Sequence, residues 1–509
     1  MPKETHKVGP DGILNDGVST YPADTARLQS YDTARDQLAK FEAPVLIHAN
    51  NPHERVFVAA FDGTGNDVLH DPEHATNVAK IHAQIQERNR AGDRSIVSGY
   101  LAGPGTQENG VTKTLDGMRG YTYERRTEEM YKQFIEQSKQ WRRDDPEAKI
   151  SVVSIGFSRG AEQAAGFTRL VEERGIEDPS GAKYTYERDG MIKNAQYSKP
   201  RLEEAGKVAQ VEGLFDPVGT GVPQKHDRRP PPSVISGFQI IAADERRGLF
   251  KVDHIIPPGE SKDGRFLGVT VAGAHSDIGG SYHRDGLAVR SNNLMVDYLN
   301  TVSDKPFLQK GQVPTEPGMN VVHRSEQGML LYRFNQVDRN TPAGYNTVLV
   351  PKNEWNGVGT RTSAEPVNED LSKAYPRQPV TIGPVPQAQG QQAQGQQAQG
   401  QSVQGQSVQG QTPTPSSPQQ PVAAPSTSDQ FDALTRAAAT QNDAASRQIA
   451  QSYAQSGEGQ ALLAQGQQAN RQLQAQQQQQ QQQQQATPAP TQQQPPNQQQ
   501  QQQGPTLRQ

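Results

Sequence analysis

An apolar run, ISVVSI (150–155), is followed by GFSRGA, which puts Ser158 at the centre of a G-x-S-x-G pattern. A small-residue stretch with Ala161, Ala164, Ala165 and Phe167 comes next. A nucleophile belongs between a buried strand and a helix, because Gly156 and Gly160 let the backbone turn sharply and lift the hydroxyl out of the sheet. The plainer reading is a tight turn whose serine caps the helix. After Phe61 comes a second glycine-rich turn, DGTGND. It lacks the lysine of a Walker phosphate loop, and Ala60 stands where a phosphatase loop would need its attacking aspartate. In a serine hydrolase this turn offers amides to a developing oxyanion. Gly63 N–H is then one donor and Arg159 N–H, just after the nucleophile, the second. The plainer reading is a structural turn in which Asp62 fixes its own backbone.

A serine nucleophile needs a histidine to take its proton and a carboxylate to hold the imidazole tautomer. GAHSDIGGSY follows Ala272 and supplies His275 and Asp277, DPVGTG follows Phe215 and supplies Asp216, and VVHRS supplies His323. Ser, acid, His is the chain order of this topology. Counting FLGVTVA as the second strand after the serine favours Asp277 as the acid, with His323 as the later base. Asp216 with His275 is the alternative pair and respects the same order. The chemistry is ester cleavage through an acyl-serine, which requires no metal and no cofactor.

Apolar runs alternating with amphipathic stretches must position these residues. The runs RVFVAAF (55–61), ISVVSI, VAQVEGLF (208–215), FLGVTVA (266–272) and MNVVH (319–323) read as buried strands joined by helices,. The fold class is α/β, an α/β-hydrolase-like, mostly parallel sheet flanked by helices, with ligand-handling residues past the strands' carboxyl ends. Helices are expected near Asp24–Phe41 with Asp24 as N-cap, over 123–145, and near Leu287–Val302. Residues 177–205, with Tyr184, Tyr186, Met191 and Tyr197, stand where a cap over an acyl pocket would, or pack as core.

The chain has 509 residues, of which 32% are hydrophobic, too few for an ordinary globular chain. An apolar-poor part must therefore dilute a normal one, and the composition breaks near Gly383. Residues 387–411 are five pentapeptide repeats, QAQGQ three times and SVQGQ twice, and an unbroken glutamine run spans Gln476–Gln485. The expected organisation is a polar segment at 1–50, a catalytic domain at 51–380 and a low-complexity, disordered Gln/Pro/Ala-rich tail at 384–509, with helices at 428–475,. A net charge of −4 argues against a nucleic-acid partner,. The absence of cysteine excludes disulfides, thiolate metal sites and a cysteine nucleophile,. The first residues lack the apolar core of a signal peptide, and no apolar stretch reaches membrane-spanning length.

Several blocks in order resemble the catalytic domain of the type VI secretion phospholipase effectors, the group called Tle-one-like. They are FDGTGND, TNVAKI (76–81), GPGT (103–106), GFSRGA, LFDPVGTG, ADERRGLF (243–250) and GAHSDIGGSY, covering about residues 55–285. Pro217 stands where the family commonly has Thr. The resemblance implies an α/β-hydrolase fold and esterase activity on phospholipid, carries the nucleophile onto Ser158, and places Asp277 in a family-like loop. It implies an antibacterial effector made in the bacterial cytoplasm and exported by a contact-dependent system. The implied partners are a lipid or phospholipid at a membrane surface, a component of the secretion machinery, and an immunity protein. The Gln-rich end resembles tails of effectors exported by a contact-dependent type IV system. A different class of function is an inert hydrolase-fold scaffold acting through that tail.

Overall fold

β-Branched and aromatic residues recur in the strands, and the interior parallel ones are buried on both faces, as a sheet covered by helices on each side requires,. The computed structural model describes residues 8–9, 11–63, 74–103, 123–187, 190–219, 226–328, 332, 336–347 and 364–386. Strands β1 (Glu54–Phe61), β2 (Ile96–Leu101), β3 (Lys149–Phe157), β4 (Gln210–Phe215), β5 (Val234–Ala242), β6 (Gly259–Glu260) and β7 (Phe266–Val271) form one sheet. Their order is β6-β7-β5-β4-β3-β1-β2. All neighbours run parallel except the short edge strand β6, which is antiparallel to β7.

Helices α1 (Thr25–Leu38), α2 (Asn77–Arg90) and α6 (Gly286–Asn300) share one apolar core with the sheet. Helices α3 (Tyr123–Asp144) and α4 (Arg159–Arg174) belong to a second core that includes Phe57, Phe61 and Val152 of the sheet. A one-turn helix, α5 (His275–Gly279), follows β7. Capping fixes the starts. Asp24 accepts from Arg27 N at 2.9 Å to open α1, and Thr76 accepts from Ala79 N at 3.2 Å to open α2,. In α4 the small residues Ala161, Ala164 and Ala165 are buried, and Ser154 Oγ of β3 donates to Ala164 O at 2.9 Å. The helix thus lies close on the strand that leads into it.

The apolar runs at 55–61, 150–155, 208–215 and 266–272 all become sheet strands. β2 and β5 are two strands the apolar-run reading misses. MNVVH yields only Val321–His323, which pairs antiparallel with Thr20–Pro22 outside the main sheet. With β5 in place, FLGVTVA is the third parallel strand of the sheet after the serine, not the second. The count that favoured Asp277 therefore loses its basis.

The described residues fall within one unit spanning Met1–Gln397. The N-terminal segment packs into the same core through Tyr31, Ala34 and Leu38 of α1. The pentapeptide repeats, the glutamine run and the expected helices at 428–475 lie outside the described residues. Among the described residues no helix is long and apolar enough to cross a membrane.

Candidate active site

Ser158 joins β3 to α4 with φ 60° and ψ −127°, a left-handed-side conformation that a non-glycine residue adopts only at a cost,. Its side chain makes no capping hydrogen bond, which removes the plainer reading of a helix-capping serine. The glycines explain how the turn closes. A Cβ on Gly156 would run into the carbonyl of Gly160, and a Cβ on Gly160 would run into the carbonyl oxygens of Phe61 and Asp62. Both ends of the pattern therefore pack backbone against backbone, one on the other and then on β1. Ser158 N donates to Phe215 O at 3.0 Å, tying the elbow to the end of β4.

The next residue of β4's run is Asp216, and Phe157 pairs with Phe215 in register. Ser158 and Asp216 thus leave neighbouring strands at the same level. Asp216 also has a positive φ, 41°. It is fully buried. Its Oδ1 accepts from Ala242 N at 2.9 Å and pairs with Arg339, and its Oδ2 lies 2.6 Å from His275 Nδ1. Burial opposes the charge, yet Arg339 and the His275 hydrogen bond hold the carboxyl down at about 2.

His275 opens α5, past the end of β7. Its backbone N–H donates to Glu245 Oε2 at 3.2 Å, and its ring lies 4.6 Å from that of Phe157 and 5.1 Å, edge-on, from that of Phe250. Burial pushes the imidazole below its ordinary value, with Asp216 opposing. A neutral ring that donates Nδ1–H to Asp216 carries its lone pair on Nε2, the arrangement of a general base.

Asp277 and His323 also meet, Nδ1 to Oδ1 at 2.5 Å, with Asp277 Oδ2 accepting from His323 N at 3.0 Å. Asp277 also accepts from Ala274 N at 2.8 Å, which caps α5. The other ring nitrogen of His323 is 3.0 Å from Asp16 Oδ2, and the ring stacks on Tyr282 at 3.8 Å. Burial works against the charged ring, but Asp16 and Asp277 raise the imidazole to about 9. Both ring nitrogens of His323 therefore lie within hydrogen-bond distance of a carboxylate, Nδ1 of Asp277 and Nε2 of Asp16, whereas His275 has a single carboxylate partner, Asp216, at Nδ1.

Of the two oxyanion donors expected, Arg159 stands at the first residue of α4, at the positive end of the helix dipole,. Gly63 N–H is directed at Asp62 Oδ1, 2.6 Å away. Asp62 is buried and also accepts from Tyr100 Oη at 2.6 Å and Thr76 Oγ1 at 2.8 Å; burial pushes its carboxyl up to about 6. Residues 64–67 of that turn lie outside the described residues. Among the described residues, no group of three or more His, Asp or Glu could hold a metal ion.

Of the two readings of residues 177–205, cap or core, the segment forms a hairpin, Ala182–Tyr186 with Ile192–Tyr197, whose Tyr197 packs on Tyr131 of α3. Tyr131 Oη donates to Gly175 O at the far end of α4, about 24 Å of helix from Ser158. Sequence reading also misses Arg339 and Glu245. A buried arginine 123 residues from its carboxylate leaves no local signal.

Residues 55–301 match the family described as T6SS, phospholipase effector Tle1-like, catalytic domain. No curated protein matches the chain. Among solved structures it is similar to a Tle1 effector bound to the VgrG spike from the type 6 secretion system, at 22% identity and TM-score 0.29, over 47% of this chain and 52% of that one. A second is an uncharacterized protein from Pseudomonas aeruginosa, at 18% identity and TM-score 0.30, over 60% of this chain and 51% of that one. A third is the apo form of esterase 2 from Thermogutta terrifontis, at 13% identity and TM-score 0.23, over 56% and 94%. The chain thus spans about half the length of the first two.

Proposed function

Because residues 55–301 match the Tle1-like catalytic domain of type VI secretion phospholipase effectors, we propose that this protein hydrolyses lipid esters, phospholipids in particular, through an acyl-Ser158 intermediate. His275 is the base and Asp216 its carboxylate. The observation that carries the reading is the strained elbow at Ser158, set level with Asp216, whose Oδ2 holds His275 Nδ1 at 2.6 Å.

In the first half-reaction Ser158 Oγ attacks the ester carbonyl and its proton passes to His275 Nε2. The tetrahedral intermediate places its negative oxygen at the Arg159 N–H, with Gly63 N–H as second donor once it leaves Asp62. Collapse breaks the ester C–O bond, and the departing alcohol takes the proton from His275. Water then attacks the acyl-serine and gives one proton to His275. The second collapse releases the fatty acid and returns the proton to Ser158. Asp216 stays ionised throughout and stabilises the imidazolium that forms twice.

The same reading gives the protein an antibacterial role after export by a contact-dependent system, with a spike protein of that system as carrier and an immunity protein in the producing cell. Labelling by a fluorophosphonate probe tests the chemistry, since only an activated serine reacts. Wild type should label and cleave p-nitrophenyl esters, and Ser158→Ala should do neither while keeping its fold. A wild-type protein that folds but does not label would instead be the inert hydrolase-fold scaffold.

A further inference from the structure

Arg339 lies beyond the stretch that matches the catalytic-domain family, in the segment 336–347, yet its guanidinium reaches the acid of the site. That segment is fixed at both ends. Gln336 bridges to Arg247, and Tyr345–Thr347 runs parallel to Val252–His254. The Arg339 side chain is 1% exposed. Nη1 pairs with Asp216 Oδ1 and donates to Ala242 O at 3.1 Å, and Nη2 donates to Phe250 O at 2.6 Å.

We propose that Arg339 is a positioning residue for the catalytic pair, holding Asp216 by one oxygen so that the other is presented to His275 Nδ1. The proposal rests on the assignment of Asp216 and His275 made above. Asp216 Oδ1 is clamped between the Ala242 N–H and the guanidinium, so the carboxylate cannot rotate and Oδ2 alone faces the imidazole. The same fork holds the backbone of Phe250, whose ring lies edge-on to His275. One side chain therefore sets the acid and one wall of the base.

Charge balance points the same way. A buried carboxylate beside a histidine favours the charged ring and raises its pKa. Arg339 offsets the Asp216 charge and so limits how far Asp216 can raise the imidazole, which burial and Arg247 lower,. The other charged groups around the pair are Glu245 and Arg247, already a salt bridge, and Asp253 with His254 on the strand alongside. A planar fork suits this site, because a lysine could make the ion pair but could not bridge the carboxylate and two carbonyls in fixed directions.

The test compares Arg339→Gln and Arg339→Lys with wild type by the pH dependence of kcat/KM on a soluble ester, with circular dichroism as a check on folding. Arg339→Gln should lose about a hundredfold in kcat/KM and move the acid limb up by about one pH unit. Arg339→Lys should keep the acid limb in place and lose about tenfold. A wild-type rate and profile for the glutamine variant overturns the proposal. Should that variant not fold, the lysine variant decides alone, and a wild-type rate there overturns it. Ser158→Ala in the same assay separates the two levels. If it remains active, the parent reading falls; if it is dead while both Arg339 variants match wild type, only the role of Arg339 falls.

Discussion

His275 Nδ1 and Asp216 Oδ2 meet at 2.6 Å although 59 residues separate them, and the imidazole rests on Phe157, the residue before Ser158. Three strand ends therefore converge. β3 carries Ser158 and β4 leads to Asp216 in register beside it, and the turn after β7 brings His275 against Asp216 and the Phe157 ring. The N-terminal segment braces that turn. Tyr31 Oη donates to Ala272 O at 2.7 Å and Ser30 Oγ accepts from Ala272 N at 2.9 Å.

The two histidine–carboxylate pairs make opposite predictions. Asp216→Asn and His275→Ala should each lower kcat on a soluble ester by three or more orders of magnitude, on the order of 10⁴ for the tautomer-breaking asparagine. Asp277→Asn and His323→Gln should cost stability and leave kcat within about tenfold. Because burial lowers the His275 pKa, the ring stays neutral further into acid than an ordinary histidine. The acid limb of kcat/KM should then fall below the usual histidine range. Steady-state rates for the four variants decide, and a large loss confined to Asp277 and His323 would transfer the catalytic role to them.

Both pairings could be named from sequence, since each histidine and aspartate lies in a turn after an apolar run. Their charge states could not. They depend on Asp16 meeting His323 across 307 residues and Arg339 meeting Asp216 across 123. The Ser158 elbow was legible because strand, glycines and helix are contiguous. β5 was hidden by its own polar residues. Ser236 and Gln239 interrupt VISGFQIIA, yet both are buried, and Gln239 bridges Asp253 O and Ile256 N at 3.0 and 2.9 Å. β2 is broken in the same way by Ser98 and Gly99. A polar residue satisfied inside a sheet looks, in sequence, like the end of a strand.

Gly160→Ala should damage both stability and chemistry. The new methyl would press on the carbonyl oxygens of Phe61 and Asp62, so β1 and the elbow must separate, at about 1–3 kcal/mol for overpacking. Thermal melting should drop, and fluorophosphonate labelling should slow, because Ser158 moves with the turn. A variant that melts and labels like wild type would show that the close approach of elbow and β1 is not required.

His323 should make stability depend on alkaline pH. Asp16 and Asp277 raise its folded pKa to about 9, above the ordinary histidine value of 6.5, so its contribution is fully present below pH 6.5 and is lost as the pH rises through 9. The full effect is on the order of 3 kcal/mol. Wild type should therefore lose melting temperature between pH 7 and 10 more steeply than His323→Gln, which cannot titrate there. Parallel melting curves for the two proteins across that range would refute the cationic bridge between Asp16 and Asp277.

The final prediction concerns the boundary of the catalytic part. Gly383 is tied back to the α/β unit twice, through its N–H to Asp297 Oδ1 at 2.9 Å and its carbonyl to Lys310 Nζ at 2.7 Å. Arg377–Pro379 pairs with Glu42–Pro44, and Val380 is buried in the core. The core contacts and ties seen up to Gly383 thus precede the Gln-rich repeats at 387–411. Deleting residues 387–509 should leave kcat/KM on a soluble ester within about twofold and the melting temperature nearly unchanged, as expected for a segment too poor in apolar residues to build a core. Deleting residues 370–509 removes the paired strand and should destabilise the fold. With catalysis intact in the shorter truncation, a contact-dependent killing assay isolates delivery. Killing equal to the full chain would leave the tail without an export role, and its loss would assign the tail to transport.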